Sequence, residues 1–473
     1  MGFDWSCTRF DRVRLFFLLG FVMASKGQNY LQGSILQTMI ATGLSMVPAT
    51  LAMSLFNIVD TFFIGRLGID MLAAMGFCLP IVGVVTCVFN GMSTAVMTLL
   101  SHALGRRDDR EAARIILHGL MLILMLSLVI GGGGALCIRT ICEAWIETPA
   151  VLDAACQYLV VWLCGAFTIS LGMGTNKLVL ALGHPRASAG WMLAGLASNV
   201  VFDIVLIFGL GPIPAMGMIG AALATVLAQA LTPAGCLWII HKRLRIFTRE
   251  ALDMRLWKRD AVDILRFSVP TILGIAIMPL TGIIATSLAA HFGDRVVAAM
   301  ACIARIEVLA FVIPMSVGMA LNPMLAQNYG AHQLERIDQI RRISQAFAGI
   351  FLLVAAALMS IFAEPLVRIF IEDPDAIDIA VTGMRIVAWG FAGQEIHRFG
   401  CFVYNGCNRP GKSALLKVIK IAGFSLPLMM LSLVFDDMNW LFYGRLISEI
   451  LGSLLAWYLA RRLVRLIMSG KET

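Results

Sequence analysis

The chain has 473 residues, of which 59% are apolar and only 14% charged, with a mean hydropathy of +0.85. Soluble domains carry about a quarter of charged residues, so a water-soluble globule is excluded. The net charge of +8 requires no nucleic-acid partner, because its distribution along the chain follows membrane topology.

Residues 1–37 form an N-terminal extension ahead of the first long apolar run. Arg9, Arg12 and Arg14 before the apolar stretch Leu15 to Met23 have the outline of a signal peptide. The stretch fits equally well a short amphipathic extension, or a start codon upstream of a true one at Met23. From Thr38 onward, mostly apolar runs recur, each long enough for a helix across roughly 30 Å of hydrocarbon. Stretches such as Met121 to Gly131 are apolar on every face, unlike the alternating segments of about ten residues in a β-barrel.

Cutting at charged and Gly/Pro-rich breaks places spans at 38–64, 71–100, 114–138, 154–182, 188–210 and 216–240. A second set follows at 265–291, 296–326, 343–371, 379–406, 413–435 and 439–467. The expectation is therefore an all-α polytopic membrane protein of twelve spans. Its first lobe covers 38–240, a polar interlobe loop 241–264, its second lobe 265–467 and a short tail 468–473. Of the 37 Lys and Arg residues, 28 fall at the termini and in alternate loops, against four in the opposite loops. By the positive-inside rule both termini are cytoplasmic, in the cell membrane of a multi-pass protein. That count assigns basic residues near span ends, Lys417 and Lys420 among them, to the adjoining loops or termini, and it leaves Lys177, Arg305, Arg385, Arg398 and Arg445 within spans.

Shifted by 225, the chain repeats itself: Gly68 meets Gly293, Gly105 meets Gly330, Gly165 meets Gly390, Pro185 meets Pro410 and Ser188 meets Ser413. Six spans per repeat means that both halves enter the membrane the same way, around an axis along its normal. Such a duplication predicts a central cavity between two bundles, with a small-molecule substrate, the surrounding bilayer and no nucleotide among its partners.

A charge near the bilayer centre costs roughly 2.5–3.5 kcal/mol on insertion scales, so a retained one needs a partner, a water path or a role. The first half keeps Asp60 with Asn57 one turn earlier, Asp203 with Asn199 one turn earlier, and Thr225. Carboxylates, carboxamides and a hydroxyl converging in low dielectric can share a proton or hold a hard monovalent cation through oxygen; they can also simply knit helices together. The second half replaces this set: Phe424 and Leu428 stand 225 residues after Asn199 and Asp203. It offers Glu307 with Arg305, Glu395 with Arg398 and His397, and an i,i+4 pair of Arg445 with Glu449. Arg445–Glu449 reads as a structural ion pair, whereas Glu307 and Glu395 read either as internal pairs or as cavity-lining anions. Lys177 has no evident mate and is placed to neutralise a neighbouring acid.

Gly406 to Ser413 matches the phosphate-cradling G-x-x-x-x-G-K-S pattern in full. Two spans flank it and no strand precedes it, so it reads as a basic turn and not as a nucleotide site. The cysteines form no C-x-x-C pair, and no histidines pair at metal-ligand spacing within a helix. No resident cofactor is expected.

From Pro48 through Leu55-Phe56-Asn57-Ile58-Val59-Asp60-Thr61-Phe62-Phe63-Ile64-Gly65, with Leu72-Ala73-Ala74-Met75-Gly76 and Pro80, the chain resembles the multidrug and toxic compound extrusion (MATE) family, its DinF-like prokaryotic branch most. Asn199-x-x-x-Asp203 and Gly220 to Thr225 agree. The resemblance implies a V-shaped pair of six-helix lobes, alternating access, and export of organic cations in exchange for H+ or Na+ by a monomer. By position it implies an ion site of Asp60, Asn199, Asp203 and Thr225, which would hold Na+ if sodium is the coupling ion. Phe56, at the cavity, stands where several relatives have a tyrosine, and no acid is present near Pro279 for a second-lobe sodium site. Phe56, Glu307, Glu395 and Arg398 are the candidates to line the substrate cavity. The alternatives are a lipid-linked saccharide flippase, which needs a more cationic cavity, and an intramembrane enzyme or receptor, for which no nucleophile–base pair or metal motif is found.

Overall fold

A computed structural model describes residues 28–244 and 253–470, apart from the side chains of residues 54–58, 278 and 280. Most of the 1–37 extension, part of the interlobe loop and the last three residues lie outside the described set. Nearly all described residues are helical, as apolar segments without water to satisfy their backbone must be. The first lobe comprises α1 (Ile35–Gly65), α2 (Ile69–Gly105), α3 (Asp109–Glu143), α4 (Pro149–Cys164), α5 (Ala166–Ala181), α6 (Pro185–Phe208) and α7 (Gly217–Leu244). The second comprises α8 (Trp257–His291), α9 (Asp294–Gly330), α10 (Leu334–Ile361), α11 (Ala363–Val367), α12 (Pro374–Val387), α13 (Phe391–Gly406), α14 (Pro410–Val418), α15 (Leu426–Phe435) and α16 (Asn439–Met468).

Local sequence explains where these helices start and bend. Pro149, Pro185, Pro374 and Pro410 occupy the first turn of their helices, where a missing N–H costs nothing. Gly68 and Gly293 cap α2 and α9 at φ of 128° and 106°, a conformation barred to residues with a Cβ. Gly165 interrupts the fourth span, whose two pieces bend by 51°. A side chain at Gly165 would sit 2.1 Å from Val226 on α7, so the break also allows close packing there. Gly390, its repeat partner, ends the 3-10 turn Ala388–Gly390 between α12 and α13.

Among the described residues ten helical stretches are long and apolar enough to cross a membrane, α12 with α13 and α14 with α15 each counting as one, and taking the bent pair as one span gives eleven. The twelfth expected span is α16, which is 30 residues long but carries Arg445, Glu449, Arg461, Arg462 and Arg465. Its charges lower its hydropathy; those near its middle are answered by neighbouring helices, so length and packing identify it where composition does not. The 37-residue helices α2 and α9 reach about 55 Å at 1.5 Å per residue, well beyond the hydrocarbon.

The lobes meet along α1, α2, α8 and α9. Gly105 and Gly330 cross there, and a Cβ on either would lie 2.1–2.2 Å from the backbone oxygen of Gln327 or His102. Gln327 Nε2 donates to Ala181 O at 2.7 Å, His102 Nε2 to Gly406 O at 2.7 Å, and Asn322 Nδ2 to Thr98 Oγ1 at 3.1 Å. Tyr30 is buried between the lobes, its hydroxyl donating to Leu180 O and its own carbonyl accepting from Asn328 Nδ2. Asp260 at the start of α8 accepts from Arg114 Nε at 2.8 Å and His118 Nδ1 at 2.7 Å on α3. The deepest such bond joins Thr50 and Ser316 at 2.7 Å, about 22 Å along α1 from its start at 1.5 Å per residue. Among the described residues every cross-lobe hydrogen bond and ion pair lies in the half nearest the basic loops, so the V is closed at that end.

Candidate functional site

The first-lobe constellation is built where α1, α6 and α7 converge. Asn199 and Asp203 share a face of α6 one turn apart, and Gly220 on α7 comes so close to α6 that a Cβ would lie 2.4 Å from Leu206 O. That approach carries Thr225 inward with Asp203, while Asp60 enters from the far half of α1. Exposure is 3% at Asp60, 0% at Asn199 and Asp203, and 5% at Thr225.

Asp60 and Asp203 lie within hydrogen-bonding reach of each other. Yet Asp60 Oδ1, both carboxyl oxygens of Asp203 and both amide atoms of Asn199 are buried without a partner among the described residues. Two ionised carboxylates only accept, so a pair of them side by side cannot satisfy itself. One shared proton turns one carboxyl into a donor, and a hard cation satisfies several oxygens at once. Thr225 Oγ1 donates to Ala221 O at 3.2 Å and keeps its lone pairs free to accept. The all-oxygen donor set suits a proton or Na+ far better than a softer metal.

The sequence reading missed Tyr158 on α4, which is 2% exposed and lies beside Thr225, Asp60 and Asp203. A tyrosine buried in a span was its only signal. It brings a phenol to this site from a different helix than Phe56. The side chains of Phe56 and Asn57 lie outside the described set, although α1 runs unbroken through both.

Lys177 does not neutralise either acid. Its ammonium donates to Asn90 O at 2.9 Å, to Thr94 Oγ1 at 2.7 Å and to Asn90 Oδ1, all on α2. Among the described residues the carboxyl pair therefore has no basic counter-charge.

In the second lobe the acids are internally paired. Arg398 donates to Glu395 one turn earlier on α13, and Glu395 is 1% exposed. The expected pair of Arg445 with Glu449 does not form: Arg445 Nη2 reaches both oxygens of Glu307 on α9 at 2.6 Å, and Lys420 Nζ takes Glu449 at 2.5 Å. A span of i,i+4 permits a pair on one helix, but inside a bundle a partner on a facing helix competes for it. His397 bonds Gly452 O at 3.1 Å and leaves Glu395 to Arg398. Lys417 and Lys420, counted with the basic loop, lie inside the bundle on α14 and on the π-helical segment Ile419–Ser425 that follows it.

The G-x-x-x-x-G-K-S match is a helix-to-helix turn: Gly406 ends α13, Asn408 takes a positive φ of 59°, and Pro410 opens α14. Ser413 Oγ donates to Cys401 O and is 2% exposed, so the hydroxyl that would meet a nucleotide's metal holds two helices together. No group of three or more His, Cys, Asp or Glu side chains among the described residues is placed to hold a metal.

The MatE family model matches residues 46–205 and 270–431, one stretch in each lobe. A FAD transporter of Shewanella oneidensis is 27% identical over 410 residues, covering 86% of this chain and 90% of that protein. The probable multidrug resistance protein YpnP of Bacillus subtilis is 24% identical over 86% of this chain and 87% of its own length. Among solved structures, the Vibrio cholerae MATE transporter VcmN in its bent form superposes with a TM-score of 0.86 at 24% identity, over 91% of this chain and 97% of that one. A MOP superfamily transporter from Pyrococcus furiosus gives 0.83 at 22% identity, over 95% of this chain and 99% of that one. The chain is a membrane transporter, not an enzyme, and it belongs to the MATE family.

Proposed function

We propose that the protein is a secondary antiporter that exports amphipathic organic molecules, cations among them, in exchange for H+ or Na+. The observation that carries this reading is the buried Asp60–Asp203 pair with Asn199 and Thr225, whose polar atoms lack partners until a proton or cation arrives. The multidrug names of YpnP and of the MepA export protein of Staphylococcus aureus support the cargo class, and the FAD transporter makes a dinucleotide a candidate beside drug-like cations.

In this reading the basic loops and both termini face the cytoplasm, so the form described is closed inward. Residues 38–240 carry the coupling ion and 265–467 complete the cargo cavity, in a monomer surrounded by lipid. An outside proton or Na+ enters the first lobe and satisfies the carboxyl pair. The bonds of the inner closure then exchange for those of an inward-open form, where the ion leaves and the cargo loads. A flippase reading would need the dominant first-lobe groups to be cationic, and there they are carboxyls.

The test is transport of the cationic dye ethidium in inverted vesicles, with a proton or a sodium gradient imposed alone. One gradient drives uptake by the wild-type protein, and Asp60→Asn abolishes it. Equal uptake by Asp60→Asn under both gradients would overturn the assignment.

A further inference from the structure

The second lobe holds three acids on facing helices, Glu395 and Glu449 buried and Glu307 half-buried, and each is already neutralised by a base: Glu307 by Arg445, Glu395 by Arg398 and Glu449 by Lys420. Lys417 is left over. It is half-buried, and no hydrogen bond or ion pair holds it among the described residues. Its side chain runs along α8, with Cδ 3.3 Å from where a Cβ on Gly274 would stand. Arg398 lies close enough to Lys417 for the two charges to act on each other, and its Nη2 is 3.5 Å from the Cβ position of Gly318 on α9. Arg398 Nε and Glu395 Oε2 are buried without a partner.

Buried polar groups are nearly always paired, and like charges held together in low dielectric repel. A cation without a counter-ion, beside a second with an unused N–H, marks a place that an anion completes. The place is well situated. Gly274 is two residues from Ile272, which packs on α2 at Gly91, and Gly318 follows Val317, which packs on α1 at Gly43. The cluster therefore lies just behind the two helices that face the first lobe. The π-helical segment begins two residues after Lys417, an irregularity that often marks a functional site.

We propose that Lys417 and Arg398, with Glu395 beside them, form an anion-binding subsite in the second lobe that takes the phosphate of a small organic substrate. Lys417 supplies a point charge and Arg398 the planar donor edge that phosphate oxygens match. Glu395 Oε2 accepts from a hydroxyl or N–H next to that phosphate. The inference depends on the exporter reading only in calling the ligand a substrate, because binding needs no ion gradient.

The experiment titrates the purified full-length protein in nanodiscs of zwitterionic lipid with FAD, with riboflavin as the phosphate-free control and with ethidium as the cation. FAD is expected to bind at least tenfold tighter than riboflavin. Lys417→Gln should remove about tenfold of that preference, what one charge-assisted hydrogen bond supplies, and Lys417→Arg should restore it. Ethidium binding should persist in Lys417→Gln, which also shows that the variant is folded. Equal affinities for FAD and riboflavin, or an FAD preference unchanged in Lys417→Gln, overturn the proposal. Loss of FAD binding on replacing the zwitterionic lipid by phosphatidylglycerol would assign the subsite to a lipid headgroup and overturn it too.

Discussion

The two repeats kept the same joints but not the same chemistry. Gly220 lets α7 press onto Leu206 of α6, and Gly444 lets α16 press onto Leu428 of α15 in the same way. The positive-φ turns also correspond, Arg107 with His332 and Gly183 with Asn408. In the first lobe, however, that scaffold buries Asp203 and Asn199 next to Asp60, with no base in contact. In the second, leucine and phenylalanine occupy the equivalent places, and Glu307, Glu395 and Glu449 have each found a lysine or arginine. Backbone geometry is held by close packing, which any substitution disturbs. In the proposed reading one lobe alone supplies the coupling, and charge in the other is then free to diverge.

The largest effect that sharpens this contrast is on coupling. Asp203→Asn keeps volume and one acceptor but cannot carry a proton or a charge. Each charge moved with the field is worth about 2.3 kcal/mol per 100 mV, roughly a fiftyfold concentration ratio, and steady-state accumulation in vesicles should lose that factor. Leu428→Ala at the equivalent place in the other lobe should keep it, and a matched loss would break the asymmetry.

A second effect concerns stability. Glu449→Gln leaves the half-buried Lys420 without this counter-charge, which costs about 3 kcal/mol, the low end for a broken buried pair, and lowers the melting temperature of the purified protein. Replacing both partners, as Lys420→Met with Glu449→Leu, should recover most of the loss. Asp203→Asn has no base to strand, so its melting temperature should stay near that of the wild type.

The smallest effect lies outside the spans. Hydrogen bonding from Arg295 holds the Asp373 carboxyl below the usual range, in an exposed pair at 2.9 Å that ties the start of α9 to the start of α12. A depressed carboxyl contributes stability above its unfolded value near 3.9 and loses it as pH falls through the folded one. Arg295→Gln should therefore flatten the acid limb of a melting-temperature profile slightly and change nothing near neutrality.

Much of this was legible in the sequence because it rests on period and glycine. The apolar runs gave the helices, the shift of 225 paired Gly68 with Gly293 and Gly105 with Gly330, and the structure turns each pair into a cap or a crossing. Asp60, Asn199 and Asp203 stood out because charge in a span is expensive. What stayed hidden depends on which helices face each other. Spacing suggested Arg445 with Glu449, but Glu307 and Lys420 sit on opposing helices and compete better. Tyr158 drew no reading at all, and Lys417 was counted with a loop, until the fold placed them beside other polar groups.

The central claim is that the coupling ion binds in the first lobe. The most direct test is the charge displaced when a proton or sodium jump is applied to proteoliposomes on a solid-supported membrane, without cargo. The account predicts a transient current in the wild type and in Glu395→Gln, and none in the Asp60→Asn, Asp203→Asn double variant. A current that survives in the folded double variant and disappears in folded Glu395→Gln would contradict it, and would move the ion to the second lobe.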